Sequence, residues 1–285
     1  MKQQNIHYFP GHMQKALRTI ENYVKSIDLI VEIVDARAPL SSRNPLLDEI
    51  SGSKSRLLVL SKSDFADDNI TKKWVDFFNN SGLPALAGNL KKERFVTILS
   101  AASKPLVQKK RDKEKRYGMK PQPIRVMVIG IPNVGKSTLI NNVGGRKIAA
   151  VGNKAGVTKA EQWIKLNEDF LLLDTPGILP MNYPSPEQAV RLAILGSMRE
   201  DVLPTQDLAE RFLGYLSFSY PFCLKERFGI ETCDGLDPLE ILSAIALRRN
   251  LLDGSQPSIE KASYLLIKEF KDGLLGKISL EAPSC

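Results

Sequence analysis

The stretch "GIPNVGKST", Gly130 to Thr138, decides the fold of this chain, because it joins an apolar strand to a helix through a glycine-containing loop. The preceding "RVMVIGIPN" predicts a buried strand, and Lys136 to Val143 predict a helix. Glycines let backbone N–H groups approach phosphate oxygens, and the start of a helix adds its positive dipole end. A phosphate-binding loop is therefore predicted here, with an ordinary glycine-rich turn as the alternative.

Each polar residue of this loop has a predicted task. Lys136 is expected to reach the β- and γ-phosphates, and the Ser137 hydroxyl to ligate Mg²⁺. The side-chain carbonyl of Asn133 is expected to hold K⁺ against the β/γ-phosphate bridge, where negative charge builds up. The alternative for Asn133 is an asparagine that only braces the loop. The predicted nucleotide contacts also include three neighbours: Val134, Gly135 and Thr138.

A second motif, Asp174-Thr175-Pro176-Gly177, ends the apolar stretch "FLLLDTPG" about forty residues later. Asp174 can hold a Mg²⁺-bound water, and the Gly177 N–H can bond the γ-phosphate and release it after hydrolysis. Thr158, in the intervening "NKAGVTKA", is the candidate for the second hydroxyl on Mg²⁺. At this spacing the motif supports a nucleotide triphosphate site.

The segment "LLVLSKSDF", Leu57 to Phe65, predicts the loop that reads the base. A carboxylate at Asp64 accepts two hydrogen bonds from guanine, which adenine does not offer. Lys62 would lie over the base by its alkyl stem, and Ser61 and Ser63 complete the predicted loop. The alternative is an ordinary turn after a strand.

The base-reading loop precedes the phosphate loop, which reverses the usual order. Because the ends of a compact α/β domain lie close together, circular permutation is tolerated, and Lys104–Pro123 is the natural join. Strands alternating with helices predict an α/β fold with a mostly parallel sheet and helices on both faces. After about Pro180 the chain reads as helices separated by Pro and Gly. We expect a permuted GTPase domain over 1–180 and a smaller all-helical domain over 181–285.

Composition narrows the class of protein. The net charge is +8, and the three cysteines have no metal-ligand spacing, which favours reduced thiols. The sequence has no run of about 18 apolar residues, so it predicts no membrane span. It also shows no apolar leader, so export is not expected. The basic residues cluster in Lys104–Arg125, which is either a solvated helix and linker or a contact for RNA phosphates.

Taken together, the motifs resemble those of the ribosome biogenesis GTPase A family, also called YlqF. The resemblance runs nearly end to end, through "YFPGHM", "DARAPLSSRNP", "SKSD", "GIPNVGKSTLIN", "AGVT", "QW" and "DTPGIL". It implies a cytoplasmic, Mg²⁺-dependent GTPase that assists late assembly of the bacterial large ribosomal subunit, with a helical tail that binds rRNA and the ribosome. The family usually has Asn where Ser61 stands, and its second base-contacting loop should fall at Asn89 and Leu90.

The residue that orients the attacking water is the least obvious. Many GTPases use a Gln after DxxG, but here the apolar Ile178 and Leu179 follow Gly177. His12, in "FPGHM", can accept a proton near neutral pH, and the family resemblance points to the same histidine. The alternative is a histidine that caps or packs a helix. At the level of function, the alternative is a permuted GTPase acting on another RNA or on a protein partner; no oligomer is implied.

Overall fold

The chain divides into two compact units, Met1–Pro184 with Ser279–Cys285, and Ser185–Ile278. The computed structural model describes residues 11–91, 95–144, 162–165, 168–180, 183, 185–198, 203–231 and 235–283. The first unit is an α/β sheet domain, and the second consists mainly of helices. The expected fold class is confirmed.

A six-stranded sheet forms the centre of the first unit. Its strands are β1 (Leu29–Asp35), β2 (Ser55–Ser61), β3 (Ala85–Gly88), β4 (Ile124–Ile129), β5 (Gln162–Lys165) and β6 (Phe170–Asp174). In space they follow the order β3-β2-β1-β4-β6-β5. All neighbours are parallel except the edge pair β5 and β6, which are antiparallel, as a connection of only four residues between consecutive strands allows. The short strand β3 was not predicted, since "ALAG" has little β-branched or aromatic character.

Six helices accompany the sheet in the described part of the first unit. They are α1 (Gly11–Val24), α2 (Leu46–Ser51), α3 (Asp68–Asn80), α4 (Phe95–Leu106), α5 (Gln108–Arg116) and α6 (Lys136–Gly144). Asp67 starts α3 because its side chain accepts a hydrogen bond from the Ile70 N–H, 3.0 Å away. Trp74 and Phe78 of α3 then pack against Val34 and Leu60 in the buried core.

Strand order explains how a reversed chain still makes one domain. The central strands β1 and β4 lie side by side, although β2, β3 and the helices α2 to α5 lie between them in the chain. Parallel pairing needs a crossover but sets no rule on which strand comes first. The predicted join, Lys104–Pro123, contains the end of α4 and all of α5.

The second unit contains α7 (Pro186–Ile194), α8 (Thr205–Ser219), α9 (Pro221–Phe228), α10 (Pro238–Arg248), α11 (Ile259–Lys271) and a two-stranded pairing of β7 (Leu252–Asp253) with β8 (Gln256–Pro257). Asp237 and Glu240 form a capping box at the start of α10. No helix of the described residues is long and apolar enough to cross a membrane.

The end of the chain differs from the expected division at residue 180. Residues 279–283 pack with the first unit, whereas the sequence placed the whole tail from 181 in the helical domain. Leu280 donates its N–H to the Arg37 carbonyl at 2.6 Å, and the Trp74 indole N–H donates to the Glu281 carbonyl at 3.1 Å. These two hydrogen bonds attach the backbone of the terminal segment to the sheet domain. They link residues more than 200 positions apart, which no local pattern predicts.

Candidate nucleotide-binding site

The predicted motifs meet at the carboxyl ends of the parallel strands. Register pairs Asp35 at the end of β1 with Ser61 at the end of β2, and Ser61 with Gly88 of β3. On the other side, Val128 of β4 pairs with Asp174 of β6. Open α/β sheets bind their ligands in the crevice outside these strand ends. The base loop and the phosphate loop therefore share one edge of the sheet despite their reversed order.

The backbone of the phosphate loop is in conformations that favour glycine or asparagine. Gly130 has φ 151° and Gly135 has φ 103°, while Asn133 is left-handed with φ 62°. A Cβ added to Gly130 would overlap the Ile33 carbonyl oxygen of β1. The loop therefore turns tightly against the neighbouring strand before α6 begins at Lys136.

Lys136 is buried beneath the turn of this loop. Its Nζ donates to the Ile131 carbonyl at 2.8 Å and to the Gly130 carbonyl at 3.2 Å. Burial lowers the pKa of Lys136 to about 8, although Asp174 opposes the shift. An ammonium held among carbonyl oxygens at the start of a helix is placed to receive phosphate oxygens.

Asp174 supplies a buried acceptor beside that ammonium. Burial raises the pKa of Asp174 to about 6, while Lys136 and the Thr175 N–H lower it. Its Oδ1 has no hydrogen-bond partner among the described residues, and the residue is 3% exposed. A buried, unpaired carboxylate oxygen fits Mg²⁺, which prefers oxygen ligands. Ser137, half-buried at the start of α6, can contribute the hydroxyl predicted for it.

Gly177 lies directly against the phosphate loop. A Cβ added there would be 2.7 Å from the Pro132 nitrogen and 2.9 Å from Lys136 Nζ. The following residue, Ile178, donates its N–H to the Gly130 carbonyl at 3.2 Å, and its carbonyl accepts from Asn44 Nδ2 at 3.0 Å. Only glycine fits at position 177, because any Cβ would overlap its neighbours. The backbone N–H of Gly177 can therefore approach a phosphate that Lys136 also contacts.

The base-reading loop is fixed through its lysine. Lys62 is left-handed, with φ 55°, and is followed by a 3₁₀ helix at Ser63–Phe65. Its Nζ lies 2.8 Å from Asp35 Oδ2, and Arg37 binds both oxygens of the same carboxylate, at 2.9 and 2.8 Å. Burial raises the pKa of Asp35, but Arg37 and Lys62 more than offset it and hold that pKa well below its usual range. Asp35 therefore stays ionised, while burial lowers the pKa of Lys62 and the Asp35 carboxylate opposes that shift.

Asp35 and Arg37 were missed as site residues by sequence reasoning. The signal was available, because "DAR" directly follows the buried strand β1, in the same position that "SKSD" takes after β2. Charged residues at the end of a buried strand point to the ligand edge of a parallel sheet. Asp64, two residues after Lys62 on the 3₁₀ helix, is half-buried.

Ser61 holds the base loop and the phosphate loop together. Its hydroxyl is fully buried and lies within hydrogen-bonding distance of two carbonyl oxygens, Val34 of β1 at 2.9 Å and Val134 of the phosphate loop. A Cβ at Gly135 would come 3.7 Å from Ser61 Oγ. The space at this contact suits a small residue, which is a physical reason for serine here in place of the usual asparagine.

The segment after β3 approaches the same loop. The Leu90 carbonyl accepts a hydrogen bond from Asn142 Nδ2 of α6 at 2.8 Å, and Leu90 Cδ1 would lie 3.3 Å from a Cβ at Gly135. Asn89 Oδ1 accepts from the Lys91 N–H at 2.9 Å. The structure thus places Leu90 beside the phosphate loop; the contact of Asn89 and Leu90 with a base stays a prediction. Val134 is buried in the loop and Thr138 half-buried on α6.

Two predicted residues lie outside what the structure describes. Thr158 belongs to residues 145–161, which are not described, and the His12 side chain is likewise outside the described set although its backbone begins α1. Their roles stay predictions.

Comparison with known proteins separates the possible identities of such a site. Residues 125–205 match the family model described as 50S ribosome-binding GTPase, which covers the phosphate loop and DTPG but not the upstream base loop. The chain is 43% identical over 279 residues to ribosome biogenesis GTPase A of Bacillus cereus, covering 98% of this chain and 94% of that protein. This chain belongs to the ribosome biogenesis GTPase A family.

Other relatives extend the likeness. Mitochondrial ribosome-associated GTPase 1 of Mus musculus is 33% identical, over 98% of this chain and 91% of that protein. The GDP-bound structure of YlqF from Thermotoga maritima matches 93% of this chain and 99% of its own, with a TM-score of 0.66 and 30% identity. As a member of the ribosome biogenesis GTPase A family, the protein binds GTP and hydrolyses it. Its phosphate loop and base loop are circularly permuted relative to the usual GTPase order.

Proposed function

We propose that this member of the ribosome biogenesis GTPase A family is an assembly factor for the bacterial large ribosomal subunit. It binds the subunit and its rRNA in a nucleotide-dependent way, in the cytoplasm. The position of Gly177, where an added Cβ would overlap Pro132 and Lys136 of the phosphate loop, carries the proposal. The printed names of its relatives, which tie them to ribosome biogenesis and to the mitochondrial ribosome, support it.

Gly177 matters because it lies close in the chain to the helical unit. Only seven residues separate it from Ser185, where the second unit begins. A backbone N–H that bonds the γ-phosphate and releases it after hydrolysis therefore acts on the segment leading to that unit. Binding energy for the ribosome then differs between GTP and GDP, which is the condition for a switch.

Magnesium and potassium belong to the same proposal. Ser137, Thr158 and Asp174 would hold Mg²⁺, directly or through water, and the orphaned Asp174 oxygen supports this assignment. Magnesium neutralises charge on the phosphates when bound. Asn133 would ligate K⁺ at the phosphate bridge. All of these side chains carry oxygen atoms, which is the type of ligand that Mg²⁺ prefers.

The choice of guanine depends on Asp64, whose side chain is half-buried. Asp64→Asn replaces one acceptor oxygen by a donor and should shift preference from guanine to xanthine nucleotides. Competition binding with GDP, XDP and ADP measures this. An unmodified protein that binds ADP as well as GDP contradicts the role of Asp64.

The test of function is co-sedimentation with purified large and small ribosomal subunits, in a non-hydrolysable GTP analogue and in GDP. We expect binding to the large subunit that is tighter with the analogue. Equal binding to the large subunit in the GTP analogue and in GDP would contradict the nucleotide-dependent switch. Failure to bind the large subunit, with hydrolysis intact, favours the second candidate, a permuted GTPase that acts on another RNA or on a protein partner.

A further inference from the structure

The excess positive charge of the chain is confined to the sheet unit. The segment Ser185–Ile278 carries 11 lysines and arginines against 14 aspartates and glutamates, a net charge of −3. The rest of the chain carries 29 lysines and arginines against 18 aspartates and glutamates, a net charge of +11. Attraction to nucleic-acid phosphates depends on local positive charge. The charge distribution therefore indicates that the helical unit is not the main contact for RNA phosphates.

Within the sheet unit, α5 is the most basic element. Its sequence, QKKRDKEKR, contains six cations in nine residues. Two of them are engaged in the structure. Lys110 Nζ binds Asp28 Oδ2 at 2.6 Å, and Arg111 binds Glu114 Oε2 and the Gln122 carbonyl, each at 2.8 Å. These contacts fasten one face of the helix to the sheet and to the segment that leads into β4.

The opposite face of α5 carries the remaining cations. Lys109, Lys113 and Arg116 follow one another at spacings of four and three, so they lie on one side of the helix, and Lys115 lies near them. All four are exposed. Asp112, on the same side, is held by Gln108 at 2.8 Å. The exposed face is therefore a row of cations on a helix that is already fixed in place.

The helix ends beside an exposed aromatic ring. Gly118, with φ 62°, closes α5, since Met119 donates its N–H to the Glu114 carbonyl at 2.9 Å and Gly118 donates to the Lys115 carbonyl at 3.1 Å. Tyr117 is held at this cap with its side chain 68% exposed. A tyrosine ring beside a row of cations offers a surface on which an unpaired base can stack.

We propose that α5 and Tyr117 form an RNA-binding surface of the sheet unit, in which Lys109, Lys113 and Arg116 contact the phosphates of an RNA helix and Tyr117 stacks on an unpaired base at its end. This rests on the proposed function, and it names where the RNA is held. The helix α5 lies within Lys104–Pro123, the predicted join of the permuted chain.

RNA fits this face better than other anionic partners do. An interfacial membrane helix needs an apolar face, and α5 has no apolar residue. Fixed cations on a helix track a phosphate backbone at long range and with strong salt dependence. An acidic protein would use the cations but would leave the exposed tyrosine ring without a base to stack on.

The test compares the charge variant K109Q/K113Q/R116Q with the matched control K25Q/K72Q/K73Q, whose three exposed lysines lie in the same unit. Binding to a short RNA duplex with a single-stranded end, and to the large subunit, is measured over a range of salt concentrations. Each lost phosphate contact should reduce the salt slope by roughly 0.7–0.9, so the charge variant should lose about 2–3 units of slope and bind about tenfold more weakly. The control should change much less.

A second variant, Tyr117→Ala, separates stacking from charge. It should weaken binding to the duplex severalfold without changing the salt slope, because the ring carries no charge. GTP hydrolysis in the absence of ribosomes should equal that of the unmodified protein for every variant, which confirms that the domain is folded.

The outcomes separate the two proposals. If the unmodified protein binds the large subunit but the charge variant and its control behave alike, the surface on α5 is wrong and the proposed function stands. If the unmodified protein binds neither the duplex nor the subunit, both are wrong. Equal capture of the unmodified protein by phosphatidylserine vesicles, or equal competition by polyglutamate, overturns the assignment of RNA to this face.

Discussion

The Lys62 ammonium lies 2.8 Å from Asp35 Oδ2, and this contact joins the base-reading loop to the end of the neighbouring strand. Arg37 binds the same carboxylate from the other side. A lysine that is expected to cover the base is thus positioned by a residue 27 positions earlier in the chain. The order of the loops along the chain does not matter to this contact, since adjacent parallel strands bring both ends together.

Asp35→Asn should destabilise the protein at neutral pH by about 3 kcal/mol or more, because it leaves two buried or half-buried cations without a counter-charge. The pKa of Asp35 is lowered in the folded state, so its stabilisation is present above the unfolded pKa of about 3.9 and is lost as pH falls below that value. Chemical unfolding at pH 7 and at pH 3 measures this. The gap between the variant and the unmodified protein should narrow at pH 3; a gap that does not change with pH contradicts the ion-pair account.

Ser61→Ala should loosen the contact between the base loop and the phosphate loop. It removes the hydroxyl that lies between the Val34 and Val134 carbonyls, which costs about 0.5–1.5 kcal/mol of stability. Affinity for GDP should fall as well, since Val134 belongs to the loop that is predicted to hold the phosphates. Ser81→Ala is the control, because the exposed Ser81 hydroxyl bonds only to its own helix, at the Phe77 carbonyl. Equal GDP affinity in both variants would show that Ser61 does not couple the loops.

Glu281→Ala should detach the end of the chain from the sheet unit. The carboxylate accepts hydrogen bonds from the Leu40 N–H, from the Ser41 N–H at 2.9 Å and from the Ser41 hydroxyl. Losing these charge-assisted bonds costs about 1.5–3 kcal/mol. Thermal unfolding and protease cleavage after the second unit measure the effect. Glu260→Ala, an exposed substitution on α11, should leave both unchanged. If Glu281→Ala has the same melting temperature as the control, the terminal segment does not contribute to the stability of the domain.

His12→Ala should leave GTP affinity nearly unchanged and reduce ribosome-stimulated hydrolysis by roughly 10²-fold or more, the scale of lost acid–base positioning. The reason is that Ile178 and Leu179, which come directly after DTPG, cannot hydrogen-bond a water. His7→Ala is the matched control and should have little effect. Single-turnover hydrolysis with large subunits present measures both. Normal stimulated hydrolysis by His12→Ala would mean that another residue or the RNA orients the water.

Potassium should accelerate hydrolysis relative to sodium at equal ionic strength, because the Asn133 carbonyl would hold the larger ion against the phosphate bridge. Initial rates in KCl and NaCl measure this. Asn133→Gly, which removes the carbonyl but tolerates the left-handed backbone, should abolish the difference between the two salts while it leaves the rate in NaCl close to that of the unmodified protein. Identical rates in both salts for the unmodified protein would leave Asn133 with a structural role only.

Sequence alone determined the parts of the site that are encoded locally. The phosphate loop at Gly130–Thr138 and DTPG at Asp174–Gly177 could be predicted because each needs a short run of fixed residue types after an apolar strand. The permuted order was readable for the same reason, since each loop shows its task without reference to its neighbours. The basic cluster in Lys104–Arg125 was also visible, but not which of its cations were engaged.

Tertiary structure alone decided the contacts between strands. It paired Lys62 and Arg37 with Asp35, set Ser61 between Val34 and Val134, and brought Glu281 to Ser41. It also assigned Lys110 to an ion pair while Lys109 stayed exposed. The physical reason is the same in each case. These contacts depend on the order in which strands and chain ends are placed side by side, and residues distant in the chain carry no local pattern that records their neighbours.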